Sequence, residues 1–178
     1  MNMKQTLFGA MRLMALFFCL SQSVSSSGKV SIDSISKKGY RGMVEASYDF
    51  GLYDRWHDKY GRQDFSTTHG YLLNECLFIG GSIGYSRLNE LETAVLIPVA
   101  ADIRVYLPII RFGRFYPFLA AKGGWELYMY RDQGTVSKFL NPSVGLKYCL
   151  GRKTALNFSV GYVSSTTENV ALRLGFEF

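Results

Sequence analysis

The last nine residues, Val170-Ala171-Leu172-Arg173-Leu174-Gly175-Phe176-Glu177-Phe178, put an apolar side chain at every even position and a small or charged one at every odd position. Alternation with period two builds a strand with one apolar and one polar face; a helix, repeating every ~3.6 residues, cannot use it. The same pattern recurs along the chain, and eight strands are read from it. Residues 39–53 set Tyr40, Gly42, Val44, Ala46, Tyr48, Phe50 and Leu52 against Arg41, Glu45, Ser47 and Asp49. Residues 65–73 alternate most weakly. Residues 77–85 place Ile79, Ile83 and Tyr85 opposite Phe78, Gly80 and Ser82, and residues 95–107 place Val99, Ile103 and Val105 opposite Asp102, Arg104 and Tyr106. In residues 115–130, Leu119, Trp125 and Leu127 oppose Lys122, Gly124 and Glu126; in residues 139–150, Val144, Leu146 and Tyr148 oppose Gly145, Lys147 and Cys149. Leu156, Phe158, Val160 and Tyr162 then alternate with Asn157, Ser159 and Gly161 before a turn near Glu168 into the last strand.

An all-β, eight-stranded antiparallel up-and-down barrel follows, with two candidate settings. A soluble lipocalin-like carrier keeps the apolar face inside; a transmembrane barrel turns it toward lipid. Periodicity does not choose, but the composition of the polar face does. It is dominated by Gly, Ser and Ala, which suit a crowded interior, and its charges are Arg41, Arg104, Lys122, Lys147 and Arg173 against Glu45, Asp49, Asp102, Glu126 and Glu177, five of each sign. A closed, water-poor lumen requires such balance, because an unpaired buried charge costs several kcal/mol, roughly. The transmembrane setting is therefore expected. The connections near 54–64, 87–94, 131–138 and 164–169 read as longer polar loops, and those at 74–76, 108–114 and 151–154 as tighter turns, the arrangement of the two rims of such a barrel. Tyr48, Phe50, Tyr85, Trp125 and Tyr162 fall toward the outer rim and Tyr40, Phe115, Tyr148, Phe176 and Phe178 toward the inner, as interfacial belts would.

The start of the chain carries a matching address. Lys4 and Arg12 precede the apolar run Leu13-Met14-Ala15-Leu16-Phe17-Phe18-Cys19-Leu20 and the small residues Ser21 to Ser26. This reads as a cleaved secretory signal peptide over residues 1–26, leaving residues 27–178 as the barrel domain. The apolar run is short of the roughly 20 residues a spanning helix needs. Phe18 stands where a lipoprotein signal has a small residue, which argues against acylation of Cys19. The formal charge of +6 becomes +4 when Lys4 and Arg12 leave, and no basic block exceeds Lys37-Lys38, so lipid head groups rather than nucleic acid are the expected anionic partner.

The terminal alternation ending on Phe178, with Leu172, Leu174 and Phe176, resembles the C-terminal insertion signal that the assembly machinery of Gram-negative outer-membrane barrels reads. The segments Thr68-His69-Gly70-Tyr71-Leu72-Leu73-Asn74, Gly80-Gly81-Ser82-Ile83-Gly84-Tyr85 and Asn141-Pro142-Ser143-Val144-Gly145 are similar to segments of small eight-stranded outer-membrane barrels of the OmpX and OmpA-transmembrane-domain kind. The resemblance covers the whole chain after the signal. It implies an outer-membrane location with both termini periplasmic, lipid and lipopolysaccharide as surroundings, and a lumen filled by side chains. One residue sits awkwardly: His69 falls on the apolar parity of its strand, so either the register differs there or a bulge intervenes.

Little supports catalysis. The chain has two histidines. His57 lies in the polar loop Asp54-Arg55-Trp56-His57-Asp58-Lys59-Tyr60-Gly61-Arg62, where a solvated side chain is expected, and no Cys/His cluster suggests a metal. Cys76 and Cys149 share the lumen parity near the inner rim; a disulfide could form between them in an oxidising compartment, with separate thiols the default expectation. The expectation is a non-enzymatic barrel without cofactor or metal, structural or surface-binding through its loops, with Arg55, Trp56, His57, Lys59, Tyr60 and Arg62 as contacts to lipopolysaccharide phosphates or to a host or neighbouring surface protein. A barrel enzyme acting on lipid A or peptides and a narrow pore are the alternatives.

Overall fold

The computed structural model describes residues 38–53, 61–74, 76–88, 95–110, 112–130, 133–151, 153–165 and 168–178. The signal segment 1–26 lies outside them. Eight strands form in chain order: β1 (Gly39–Tyr53), β2 (Arg62–Leu72), β3 (Leu77–Leu88), β4 (Val95–Tyr106), β5 (Phe115–Tyr130), β6 (Gln133–Cys149), β7 (Ala155–Ser164) and β8 (Glu168–Glu177). Each pairs antiparallel with the next, and β1 pairs with β8, so the sheet closes with no free edge. At the seam, Gly42 and Phe178 exchange two backbone hydrogen bonds of 2.9 Å each. Gly42 is needed there, because a Cβ would stand 2.5 Å from the Phe178 ring that lies across it.

The apolar parity faces outward. Trp125 is 60 % exposed, Val144 57 % and Ile83 53 %, while the charged parity is buried, with Asp49 and Glu126 at 0 %. Water would leave a belt of exposed Leu, Ile, Val and aromatic side chains running round the barrel without a partner, far beyond the few hundred Å² a soluble monomer tolerates. A lipocalin-like arrangement is thereby excluded.

Three strands run further than their alternation predicts. β2 starts at Arg62 instead of Phe65, β3 runs on to Leu88 instead of Tyr85, and β6 starts at Gln133 instead of Phe139. The segment Gln133–Lys138, expected as loop, pairs with Trp125–Tyr130 to extend the β5–β6 hairpin. Above the lipid belt a strand needs no apolar outer face, so its sequence loses the alternation while the ladder continues. Only two residues, 131–132, then separate β5 from β6, whereas 107–114 separate β4 from β5 on the other rim. The expected contrast between long and short connections is correspondingly weaker than the sequence suggests.

Candidate functional site

The odd positions of β1 and the positions facing them fill the lumen in three tiers. At the rim where β1 begins and β8 finishes, Glu177 accepts Lys147 Nζ at 2.6 Å and pairs with Arg41 Nε at 3.2 Å. The Tyr106 hydroxyl reaches its other oxygen at 3.5 Å, and Lys147 Nζ lies 4.5 Å from the Tyr106 ring centroid. Directly beyond is an apolar plug of Met43, Leu72, Phe78, Tyr106 and Phe118. Glycine makes room for its rings: a Cβ on Gly70 or Gly80 would come within 2.6 or 2.7 Å of the Phe78 ring, and one on Gly145 within 2.5 Å of Phe118.

The middle tier centres on Glu45, which takes Arg104 Nη2 on one oxygen at 2.8 Å and Lys122 Nζ on the other at 2.9 Å. Arg104 also donates to Asp102 at 2.6 Å through Nη2 and at 3.2 Å through Nε. Its guanidinium carbon lies 6.0 Å from the Phe78 centroid and 5.8 Å from that of Phe118, so one residue joins the ionic tier to the aromatic plug. Lys122 Nζ is 3.8 Å from Asp102. Arg173 faces Ser47 and Ser159 across its two ladders and acts on Glu45 and Asp49 through space.

In the outer tier, Arg62 donates to Asp64 at 2.6 Å and to Glu126 at 2.9 Å, and lies 3.8 Å from Asp49. Ser137 donates to the free oxygen of Glu126 at 3.2 Å, and Ser47 donates to Asp49 and Asp64, each at 3.3 Å. All ten charged residues assigned to the lumen from sequence, Arg41, Glu45, Asp49, Asp102, Arg104, Lys122, Glu126, Lys147, Arg173 and Glu177, are buried there. Arg62 and Asp64 add one more pair, keeping the balance at six of each sign among the described residues.

Arg62 corrects the sequence reading. Expected as a solvated loop contact, it is 4 % exposed, because β2 begins at this residue and the even positions Arg62, Asp64, Ser66 and Thr68 all point inward. The other loop candidates, Arg55, Trp56, His57, Lys59 and Tyr60, lie outside the described residues. The tier that Arg62 organises was missed because 62–64 precede the apolar alternation. The plug was missed because Phe78, Phe118 and Tyr106 share the polar parity. Its signal was glycine facing an aromatic neighbour across the ladder, as in Phe118 opposite Gly145.

His69 faces lipid with neither a slipped register nor a bulge: it sits between Gly42 and Gly81 in an unbroken ladder. The Tyr40 hydroxyl hydrogen-bonds its Nδ1, and Thr67 Oγ1 lies 2.9 Å from its Nε2. Both ring nitrogens are thus satisfied without water, which makes an imidazole on a lipid-facing wall tolerable. Cys76 and Cys149 are free thiols. Leu172, Leu174 and Phe178 are exposed on the outer face of the seam. Among the described residues no group of His, Cys, Asp and Glu is arranged to hold a metal.

No family model matches the chain, and no curated protein matches it in sequence. Solved structures match it in fold. Neisserial surface protein A superposes with a TM-score of 0.65 at 12 % identity, over 79 % of this chain and 97 % of that one. The N-terminal β-barrel domain of Pseudomonas aeruginosa OprF gives 0.52 at 14 % identity, over 80 % and 98 %. The outer membrane enzyme PagL gives 0.52 at 12 % identity, over 76 % and 98 %. The fold is therefore the small eight-stranded outer-membrane barrel that the resemblance implied. Since an enzyme stands among these structures, fold alone assigns no chemistry.

Proposed function

We propose that this barrel resides in the outer membrane as a non-enzymatic protein that acts through its extracellular loops, in a structural or surface-binding role of adhesion type. The observation that carries the reading is the opposition of the two faces: a belt of large apolar side chains outside, and twelve charges, six of each sign, with an aromatic plug inside. A lumen filled in this way leaves little path for solute, so the parts free to act are the loops and the outer surface. An even number of strands puts both chain ends at one rim, which the reading assigns to the periplasm after loss of residues 1–26. The seam strand, with Leu172, Leu174, Phe176 and Phe178 on its lipid side, is what the barrel assembly machinery would read. Lipid and lipopolysaccharide surround the belt. Arg55, Trp56, His57, Lys59 and Tyr60 offer interleaved cations and aromatics to lipopolysaccharide phosphates or to a host or neighbouring surface protein.

The first test is electrophoretic. The full chain is expressed in a Gram-negative host, and its outer membranes are run in mild detergent with and without boiling. Faster migration of the unboiled band is expected of a closed barrel, and a soluble periplasmic band without a shift would overturn the reading. Planar-bilayer recordings are expected to stay quiet. An altered lipid A mass profile in cells expressing the protein, lost again in His57→Ala, would replace the binding role with an enzymatic one.

A further inference from the structure

The connection between β4 and β5 differs from the other turns at its rim. The sequences at 74–76 and 151–154 are polar, Asn-Glu-Cys and Gly-Arg-Lys-Thr, whereas this one contains Pro108, Ile109, Ile110 and Phe112. It is also built. A single 3-10 turn spans Pro108–Ile110, closed by the Ile110 amide on the Leu107 carbonyl at 3.2 Å. Phe112 and Phe115 then exchange two backbone hydrogen bonds of 3.1 and 3.0 Å around Gly113, whose φ of 61° suits the tight reversal. The Arg114 carbonyl is tied to the Cys149 amide at 3.0 Å.

This ordered knuckle presents its apolar side chains outward: Ile109 is 97 % exposed, Phe112 68 % and Ile110 51 %. Such exposure in a hydrogen-bonded turn marks a surface made for contact. Two observations favour lipid over a protein partner. The Phe112–Phe115 bridge puts both rings on one side of the ribbon, and Phe115 belongs to the outward parity of β5 with Leu119 and Trp125. Phe115 also packs on Tyr148 with centroids 4.8 Å apart, so the patch adjoins the lipid-facing belt.

We infer that the β4–β5 turn is an interfacial anchor, docked on the phospholipid leaflet at the rim where β1 begins and β8 finishes, with Ile109, Ile110 and Phe112 in the boundary between acyl chains and head groups. Elements of this kind sink their apolar face about 5–10 Å into that boundary. Arg114, exposed in the same turn, supplies a cation for the phosphates. The turn then fixes how deep the barrel sits and how it tilts, at the rim opposite the loops. The inference rests on the membrane reading above.

The experiment separates the two claims within one protein. The full chain is reconstituted in phosphatidylethanolamine–phosphatidylglycerol vesicles, with and without phospholipid brominated near the glycerol end of its acyl chains. One variant, Trp56→Phe, keeps Trp125 in the belt as its reporter. The other, Trp56→Phe, Trp125→Phe and Ile109→Trp, reports from the turn; Ile109 is nearly free of protein contacts, and the unboiled gel shift checks that the barrel forms. The expected result is a fractional loss of emission at position 109 comparable to that at Trp125, with little further loss on adding aqueous iodide. Quenching of Trp125 alone, with position 109 open to iodide, overturns the anchor and leaves the membrane barrel standing. Protection of position 109 from both quenchers also overturns it, in favour of a second copy of the chain. Failure of bromolipid to quench either site overturns the membrane reading itself.

Discussion

The two ends of the lumen are closed by different physics. At the end where β1 begins and β8 finishes, just beneath the Glu177, Lys147 and Arg41 cluster, Phe78 and Phe118 lie against Gly70, Gly80 and Gly145 and exclude water by shape. At the other end, Arg62, Asp49, Asp64 and Glu126 close the lumen by charge, with Ser47 donating to Asp49 and Asp64 and Ser137 to Glu126, while Asp49 Oδ2 has, among the described residues, only the Arg62 charge 3.8 Å away. Shape is intolerant of added volume, because the neighbours of each glycine include backbone. Charge is intolerant of deletion, because what remains is a buried ion. Arg104 stands at the junction and answers to both.

The largest expected effect is overfilling of the aromatic end. A Cβ on Gly70 would meet the Ile79 carbonyl oxygen at 2.3 Å and Gly80 Cα at 2.5 Å, neither of which can step aside as a side chain does. Gly70→Val is expected to cost about 3 kcal/mol or more and to abolish the heat-modifiable band. On the outer face, Gly134→Val is the control and should leave the band intact, since Gly134 is exposed opposite Met129 and a Cβ there meets nothing nearer than the Leu127 side chain at 3.9 Å. Equal behaviour of the two would break the comparison.

Next come two deletions of similar expected cost and different character. Glu45→Ala takes the shared acceptor from Arg104 and Lys122, leaving Asp102 as the near anion for both, at an expected cost of about 3–5 kcal/mol in the urea unfolding free energy. Phe118→Ala is expected to lose about 3–5 kcal/mol through its cavity. Planar-bilayer recording separates them. Water drawn to the uncompensated charges should bring conductance steps in Glu45→Ala, while the apolar cavity of Phe118→Ala stays dry and silent. Steps in the second variant would mean that the plug, and not the charge lattice, keeps the lumen closed.

The same division explains what could be read from sequence. Where lipid lies on one side and a crowded lumen on the other, every second residue answers to a different solvent, and β1 and β5 were legible to their last residues. Above the belt that contrast disappears, and with it the ends of β2, β3 and β6, including Arg62. The charged tier was legible because Glu45, Asp102 and Lys122 stand among small residues on one parity. The aromatic tier was not, since a phenylalanine on the polar parity reads as noise until its glycine partner is known. His69 illustrates the reverse case: its parity was right, and only the Tyr40 and Thr67 hydroxyls made it credible.

A milder perturbation at the charged end is Glu126→Gln. Arg62 keeps Asp64 at 2.6 Å, so the guanidinium is not stranded, and the expected loss falls to about 1–3 kcal/mol. A loss as large as that of Glu45→Ala would show that the outer tier is as dry as the middle one.

The smallest expected effect concerns Ser137, and it tests whether the outer tier extends onto a real strand. Ser137 lies in the part of β6 that looks like loop in sequence, opposite Glu126 in the ladder, and donates to Glu126 Oε1 at 3.2 Å. Ser137→Ala removes this bond and leaves Arg62 on the other carboxylate oxygen at 2.9 Å. An ordinary hydrogen bond contributes about 0.5–1.5 kcal/mol, and water entering from the nearby rim recovers part of it, so the urea midpoint should move by the lower end of that range. Hydrogen exchange on the parent protein supplies the structural half of the test. If 133–138 are paired with 125–130, their ladder amides exchange slowly, far below the rate of a solvated loop. Fast exchange there, with no shift in Ser137→Ala, would end the lumen's charged closure at Arg62 and remove the second wall from the outer tier.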